Sequence, residues 1–185
     1  MAGSAASPDA LVVTRDRKGR ERRTRRPRGA VLPVPIIEQS ASGRCGPACL
    51  AMVLRYYGIA ASEDDVAARS GCSRRNGVDA ESLVDVARSF GCTGAIHDIA
   101  TIRDLRAHVV AQTPPIVDWF SEDDGHYSVV VGIGRRAITL LDPAFGGFHV
   151  MPIRRFHRVW FDFPGEFIRS RDDLCIRRMI IIQPA

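Results

Sequence analysis

Residues 39–58 read QSASGRCGPACLAMVLRYYG. A cysteine stands directly before Gly-Pro, an apolar run follows, and Gly58 stops it. Pro47 suits the first turn of a helix, where its missing N–H costs nothing. Gly58 suits the position just past a helix end. The spacing therefore predicts a helix over 45–57. Its apolar residues (Cys49, Leu50, Met52, Val53, Leu54, Tyr56, Tyr57) cover most of its circumference, so it belongs in the middle of a domain. Cys45 then lies at the mouth of a buried helix, where the dipole favours an anion. A free thiol ionises near pH 8.5, and a helix N-terminus or a nearby cation lowers that. Arg44 is such a cation, and Gly46 leaves room for another backbone to come close. Cys49, Cys72, Cys92 and Cys175 have no comparable setting; Cys49, one turn on, reads as a small packing residue.

The elements around this helix follow from local signals. Ser62 caps EDDVAARS, with three acids in the first turn and Gly71 after it. A third helix runs from Asp79 through ESLVDVARSF to Gly91. A fourth begins at Thr101 with IRDLRAHVV, and TGAIHDI between these two predicts a strand. Beyond residue 113 the texture changes. PPIVDWF, HYSVVVGIG, RAITLLD, GFHVMPI and CIRRMIIIQ are short, rich in β-branched residues and separated by turns. IRRFHRVWF adds one short helix. Helices fill the first half and strands the second, an α+β plan with two lobes.

The 185 residues suit one domain with a tail, and 45% hydrophobic residues supply a core. No run of roughly 18 or more apolar residues offers a membrane span, and no secretion signal is visible, so a cytoplasmic chain is expected. Five cysteines without such a signal imply free thiols. Cys45 and Cys49 lack the companions of a zinc site, and GIGRRA is a hairpin turn rather than a phosphate loop. No metal or cofactor is expected. The net charge of +5 is uneven. Residues 1–35 hold nine basic and three acidic side chains, which leaves the remainder at −1. Residues 1–33 read as a disordered Arg-rich tail and 34–185 as the folded domain. A near-neutral folded part, and arginines without interleaved aromatics, argue against a nucleic-acid partner.

A thiol nucleophile needs a base. His126 opens the strong strand HYSVVVGIG, while His97, His108, His149 and His157 read as structural or surface residues. Asp142 ends the next strand. If the two strands form a hairpin turning near Gly134–Arg135, residues 126 and 142 are neighbours, and a carboxylate stands beside the imidazole. Nucleophile, base and orienting acid form the set that nucleophilic catalysis uses. Gln39, six residues before Cys45, offers a side-chain amide for an oxyanion, and the Cys45 N–H offers a second donor.

The ordered set Q39-SASGR-C45-G46, then H126-Y127-SVVVGI, then D142-P143 resembles the papain-like cysteine peptidases. More narrowly, it resembles the bacteriocin-processing peptidases that cut leader peptides after a double glycine. The resemblance spans about residues 34–183. It implies a papain-like fold with a helical N-terminal lobe and an antiparallel sheet in the C-terminal lobe. It implies Cys45 as nucleophile, His126 as general base and acid, Asp142 as orienter and Gln39 as oxyanion donor. A peptide or protein is the implied substrate, with a separate exporter as a partner, since neither a membrane domain nor an ATPase domain follows. Arg44 departs from the acid that often precedes the cysteine. Two alternatives stay open: an acyl transferase of transglutaminase type using the same triad, and a leader-binding module without chemistry.

Overall fold

The computed structural model of the chain describes residues 11–15, 21–25, 27, 29–75, 77–121, 124–165 and 167–185. The expected disorder of residues 1–33 falls largely outside the described residues. Within that stretch, Leu11–Arg15 (β1) and Glu21–Arg25 (β2) are described by backbone alone and pair antiparallel. Packing begins slightly before residue 34. Leu32 is buried, and its N–H donates to the Val131 carbonyl at 2.8 Å.

Helix α1 (Cys45–Tyr56) is buried from Gly46 to Leu54. Around it lie α2 (Glu63–Ser70) and α3 (Ala80–Ser89). The caps are those the sequence announces. Ser62 and Asp65 form a capping box at α2, and the Asp79 side chain accepts from the Ser82 N–H at α3. Strand β3 (Cys92–His97) follows, then α4 (Ile102–Val110), capped by Thr101 and Asp104. The later elements are β4 (Ile116–Ser121), β5 (Asp124–Ile133), β6 (Ala137–Asp142), β7 (Gly147–Pro152), α5 (Ile153–Val159), β8 (Phe161–Asp162), β9 (Cys175–Ile176) and β10 (Met179–Pro184).

Six strands form one antiparallel sheet in the order β3-β10-β4-β5-β6-β7. The division into a helical half and a strand half therefore has one exception: β3 precedes α4 in sequence yet pairs with the C-terminal β10. One core joins α1, α2 and α3 to the sheet through Leu50, Leu54, Leu83, Val129 and Leu141. A second joins Leu105 of α4, Phe156 of α5 and Trp160 to Val130, Ile138 and Leu140. Adjacent strand residues fall in different cores, as alternation across a sheet requires. The strand predicted over CIRRMIIIQ is two strands. Arg177 has φ +52 and its N–H donates to the Trp160 carbonyl. Beside it the Arg178 side chain turns to Asp98, so the run breaks between β9 and β10. Among the described residues no helix is long and apolar enough to cross a membrane.

Candidate active site

The loop before α1 is fastened from two sides. The Gln39 N–H donates to the Pro143 carbonyl at 2.9 Å, directly after β6. The buried Glu63 accepts from the Ser40 N–H at 3.0 Å and from the Ser40 hydroxyl at 2.8 Å. Gly43 takes φ +77, and a Cβ there would stand 2.7 Å from the Ser73 carbonyl oxygen. Cys45 is thereby set at the start of α1, beside the cleft that Gln39, His126 and Asp142 also line. Gly46 serves the chain's own packing rather than an approaching backbone. A Cβ there would lie 2.5 Å from Val78 Cγ1 and 3.2 Å from Tyr127 Cδ2. This contact lays the first turn of α1 on β5.

Arg44 does not have the role expected for it. Its guanidinium pairs with Asp64, lies 3.7 Å from Glu63 and donates to the Ser40 hydroxyl at 3.0 Å. Its charge is thus answered within the loop and α2. What stands beside the Cys45 thiol is the helix N-terminus and His126, whose imidazole it helps to raise.

His126 and Asp142 meet as the hairpin reading expects. His126 Nε2 lies 2.8 Å from Asp142 Oδ1. An ionised carboxylate only accepts, so Nε2 carries the proton and Nδ1 is left for the thiol. A β-bulge makes this meeting possible. Near the turn, Ile133 pairs with Ile138 and Gly132 with Thr139; past the bulge, Val130 pairs with Leu140 and Val129 with Leu141. The extra residue shifts the register by one. Without it, His126 and Asp142 would project from opposite faces of the sheet.

Asp142 is fully buried. Its Oδ1 also accepts from the Ala144 N–H at 2.9 Å, and its Oδ2 lies 3.3 Å from His149 Nδ1. Burial opposes its charge. The His126 and His149 imidazoles overcome that and hold the carboxyl well below the usual range. Burial likewise opposes a charged His126, yet the Asp142 carboxylate and the adjacent Cys45 raise its imidazole well above the ordinary value. Trp119 stands edge-on to both His126 and His149, each ring centroid 5.7 Å away. Its Nε1–H donates to the Ser128 hydroxyl at 3.0 Å.

Gln39 Nε2 donates one hydrogen to the Ala41 carbonyl at 2.9 Å, which leaves its second N–H for the cleft. Cys49 is buried in α1, and burial pushes its thiol well up. Sequence reasoning missed His149. Its signal was register alone: on β7 it pairs with Leu140 of β6, two residues from Asp142 on the same face.

The arrangement can hold a thiolate beside an imidazolium, keep that imidazolium oriented, and offer N–H donors to a developing oxyanion. Comparison with known proteins gives related findings. A model of the Peptidase C39 family matches residues 33–163. An uncharacterized protein of Methanothermobacter marburgensis is 38% identical over 111 residues, 60% of this chain and 72% of its own length. The colicin V secretion/processing ATP-binding protein CvaB of Escherichia coli is 30% identical over 113 residues, 61% of this chain and 15% of its own length. Among solved structures, a double glycine motif protease from an AMS/PCAT transporter, in complex with the leader peptide, superposes with a TM-score of 0.64. It is 25% identical and covers 88% of this chain and 97% of its own.

Proposed function

The chain belongs to the peptidase C39 family, and from that premise we propose that it is a cysteine peptidase acting through Cys45, His126, Asp142 and Gln39. The observation that carries the reading is the hydrogen bond of His126 Nε2 to the buried Asp142, which leaves Nδ1 for the thiol at the α1 mouth. The Cys45 thiolate attacks the scissile carbonyl carbon. The oxyanion takes hydrogen bonds from the Cys45 N–H and the second Gln39 N–H. The C–N bond then breaks as the His126 imidazolium gives its proton to the leaving amine. In the second half, His126 takes a proton from water as the water attacks the thioester. The carboxyl product leaves and the thiolate returns.

The substrate we assign is a leader-type peptide cut after Gly-Gly, in keeping with the double glycine motif protease named above. An exporter is the corresponding partner, since that protease is part of a transporter and CvaB is a secretion protein. Residues 34–185 are taken as the peptidase unit.

The test combines alkylation with turnover. Iodoacetamide labelling read by mass spectrometry should modify Cys45 before the other four cysteines at pH 6–7, and His126→Ala should slow that labelling. The wild-type protein, and not Cys45→Ala, should cut Gly-Gly peptides. Labelling of Cys45 no faster than Cys175, or equal cutting by Cys45→Ala, would defeat the reading. A product with a new amide bond would instead identify an acyl transferase.

A further inference from the structure

The cleft holds a second group of titratable side chains that the reaction above does not use. Asp118 on β4 pairs across the sheet with Tyr127. Asp162 on β8 lies against Gly125, where a Cβ would stand 2.2 Å from its Oδ2. The two acids therefore reach the residues on either side of His126. Tyr127 also touches the first turn of α1 at Gly46, so Asp118 lies on the face of the sheet that carries Cys45. Both acids line the cleft with Cys45 and His126.

The two carboxyls are neighbours, and each alters the ionisation of the other. Asp118 is only 4% exposed. Its Oδ1 is buried without a hydrogen-bond partner among the described residues, and so is Oδ1 of Asp162. Burial, with Asp162 alongside, keeps the Asp118 carboxyl protonated well above the usual carboxylate range. Burial raises the Asp162 carboxyl as well, but less, so Asp162 is the member of the pair that ionises first. Arg178 favours the ionised form of both acids at a distance, while its guanidinium forks onto Asp98, with Nε and Nη2 at 2.8 and 3.0 Å. Arg74 and Arg75 belong to the segment whose carbonyl oxygens touch Gly43, on the α1 side of the cleft. Two unpartnered acceptor oxygens on adjacent acids that line a substrate cleft suit a donor with positive charge. An amide N–H would satisfy only one oxygen. A guanidinium or ammonium satisfies both.

We propose that the Asp118–Asp162 pair is a binding site for a cationic nitrogen of the substrate, a lysine or arginine side chain close to the bond that is cut. This rests on the peptidase reading of the cleft. Its test uses Cys45→Ala protein, so that binding is read without turnover. N-acetylated peptides containing Gly-Gly carry one lysine, moved stepwise through the flanking positions, with norleucine at the same position as the control. Affinity is measured by calorimetry. At one position lysine should bind about tenfold or more tighter than norleucine, the scale of a charge-assisted hydrogen bond. Adding Asp162→Asn should remove that preference, and Asp118→Asn should reduce it. Asparagine keeps the shape of either side chain, so thermal melting should show both variants folded. A series with no lysine preference, or a preference that survives Asp162→Asn, overturns the proposal. A preference seen only when the N-terminus is left unacetylated overturns the side-chain assignment in favour of the α-amine. Wild-type cleavage of the preferred peptide is read separately: binding discrimination without cleavage defeats the peptidase reading and leaves the cation site standing.

Discussion

Asp142 is the residue on which the proposed chemistry turns, because it is a buried charge that three donors justify. His126, the Ala144 N–H and His149 all address its two oxygens. Asp142→Asn removes the charge that raises His126 and leaves burial to lower it. Peptide turnover should fall on the order of 10²-fold or more. The alkaline limit of the rate profile should move down in pH, because the imidazolium is lost earlier. The stability effect has a defined window. His126 has a raised folded pKa, so its contribution is full below its unfolded value of about 6.5 and is lost as pH rises through the folded one. Asp142 has a depressed folded pKa, so its contribution is full above about 3.9 and is lost as pH falls. Chemical denaturation should therefore find the largest deficit of Asp142→Asn between about pH 4 and 6.5; a deficit that is flat with pH would contradict the assignment. At this scale the sequence singles out Cys45, His126, Asp142 and Gln39 as candidates, because each is tied to a helix mouth, a strand end or a fixed spacing. His149, Asp118 and Asp162 carry no local signal. Their partners are set by pairing across strands and by a short strand that sequence does not announce.

Two elements convert those residues into a site. One is the first turn of α1, which approaches β5 closely because Gly46 has no side chain. Gly46→Ala puts a methyl 2.5 Å from Val78 Cγ1. Overpacking of this kind costs about 1–3 kcal/mol. The turn that carries Cys45 should shift, and equilibrium unfolding together with the iodoacetamide rate should register both effects. An unchanged rate would mean that the thiol is placed by the preceding loop alone. The other element is the bulge in β5, which sets His126 and Asp142 on one face. The hairpin was legible from HYSVVVGIGRRAITLLD, but the bulge was not, since Gly132 alone hints at one and nothing in the pattern says that the register shifts there. The proximity inferred from the hairpin was met through a register that the sequence does not reveal. The break between β9 and β10 was hidden for a similar reason. Arg177 and Arg178 interrupt an apolar run without any turn residue, and only the bonds to Trp160 and Asp98 divide it.

Among the described residues the six-stranded sheet lies between two cores, with the cleft where β5 begins and α1 starts. The first core holds α1, α2 and α3, and the second holds α5 with Trp160 and part of α4. The fold class was readable from the order of helical and strand patterns. The place of β3 was not, because its partner β10 lies more than eighty residues on. Two cores on opposite faces imply that stability and reactivity can be separated by mutation. Phe156 and Leu54 are both fully buried. Phe156→Ala should cost about 3–5 kcal/mol and Leu54→Ala about 2–5 kcal/mol. Only Leu54 belongs to the helix that presents Cys45. Under native conditions, Phe156→Ala should alkylate at Cys45 at the wild-type rate. Leu54→Ala should change that rate, because a cavity beneath α1 loosens the element that aims the thiol. Urea unfolding gives the first quantity and iodoacetamide labelling the second. Equal rates in both variants would mean that the α1 start is held by the loop contacts of Gln39, Gly43 and Glu63 rather than by the core beneath it.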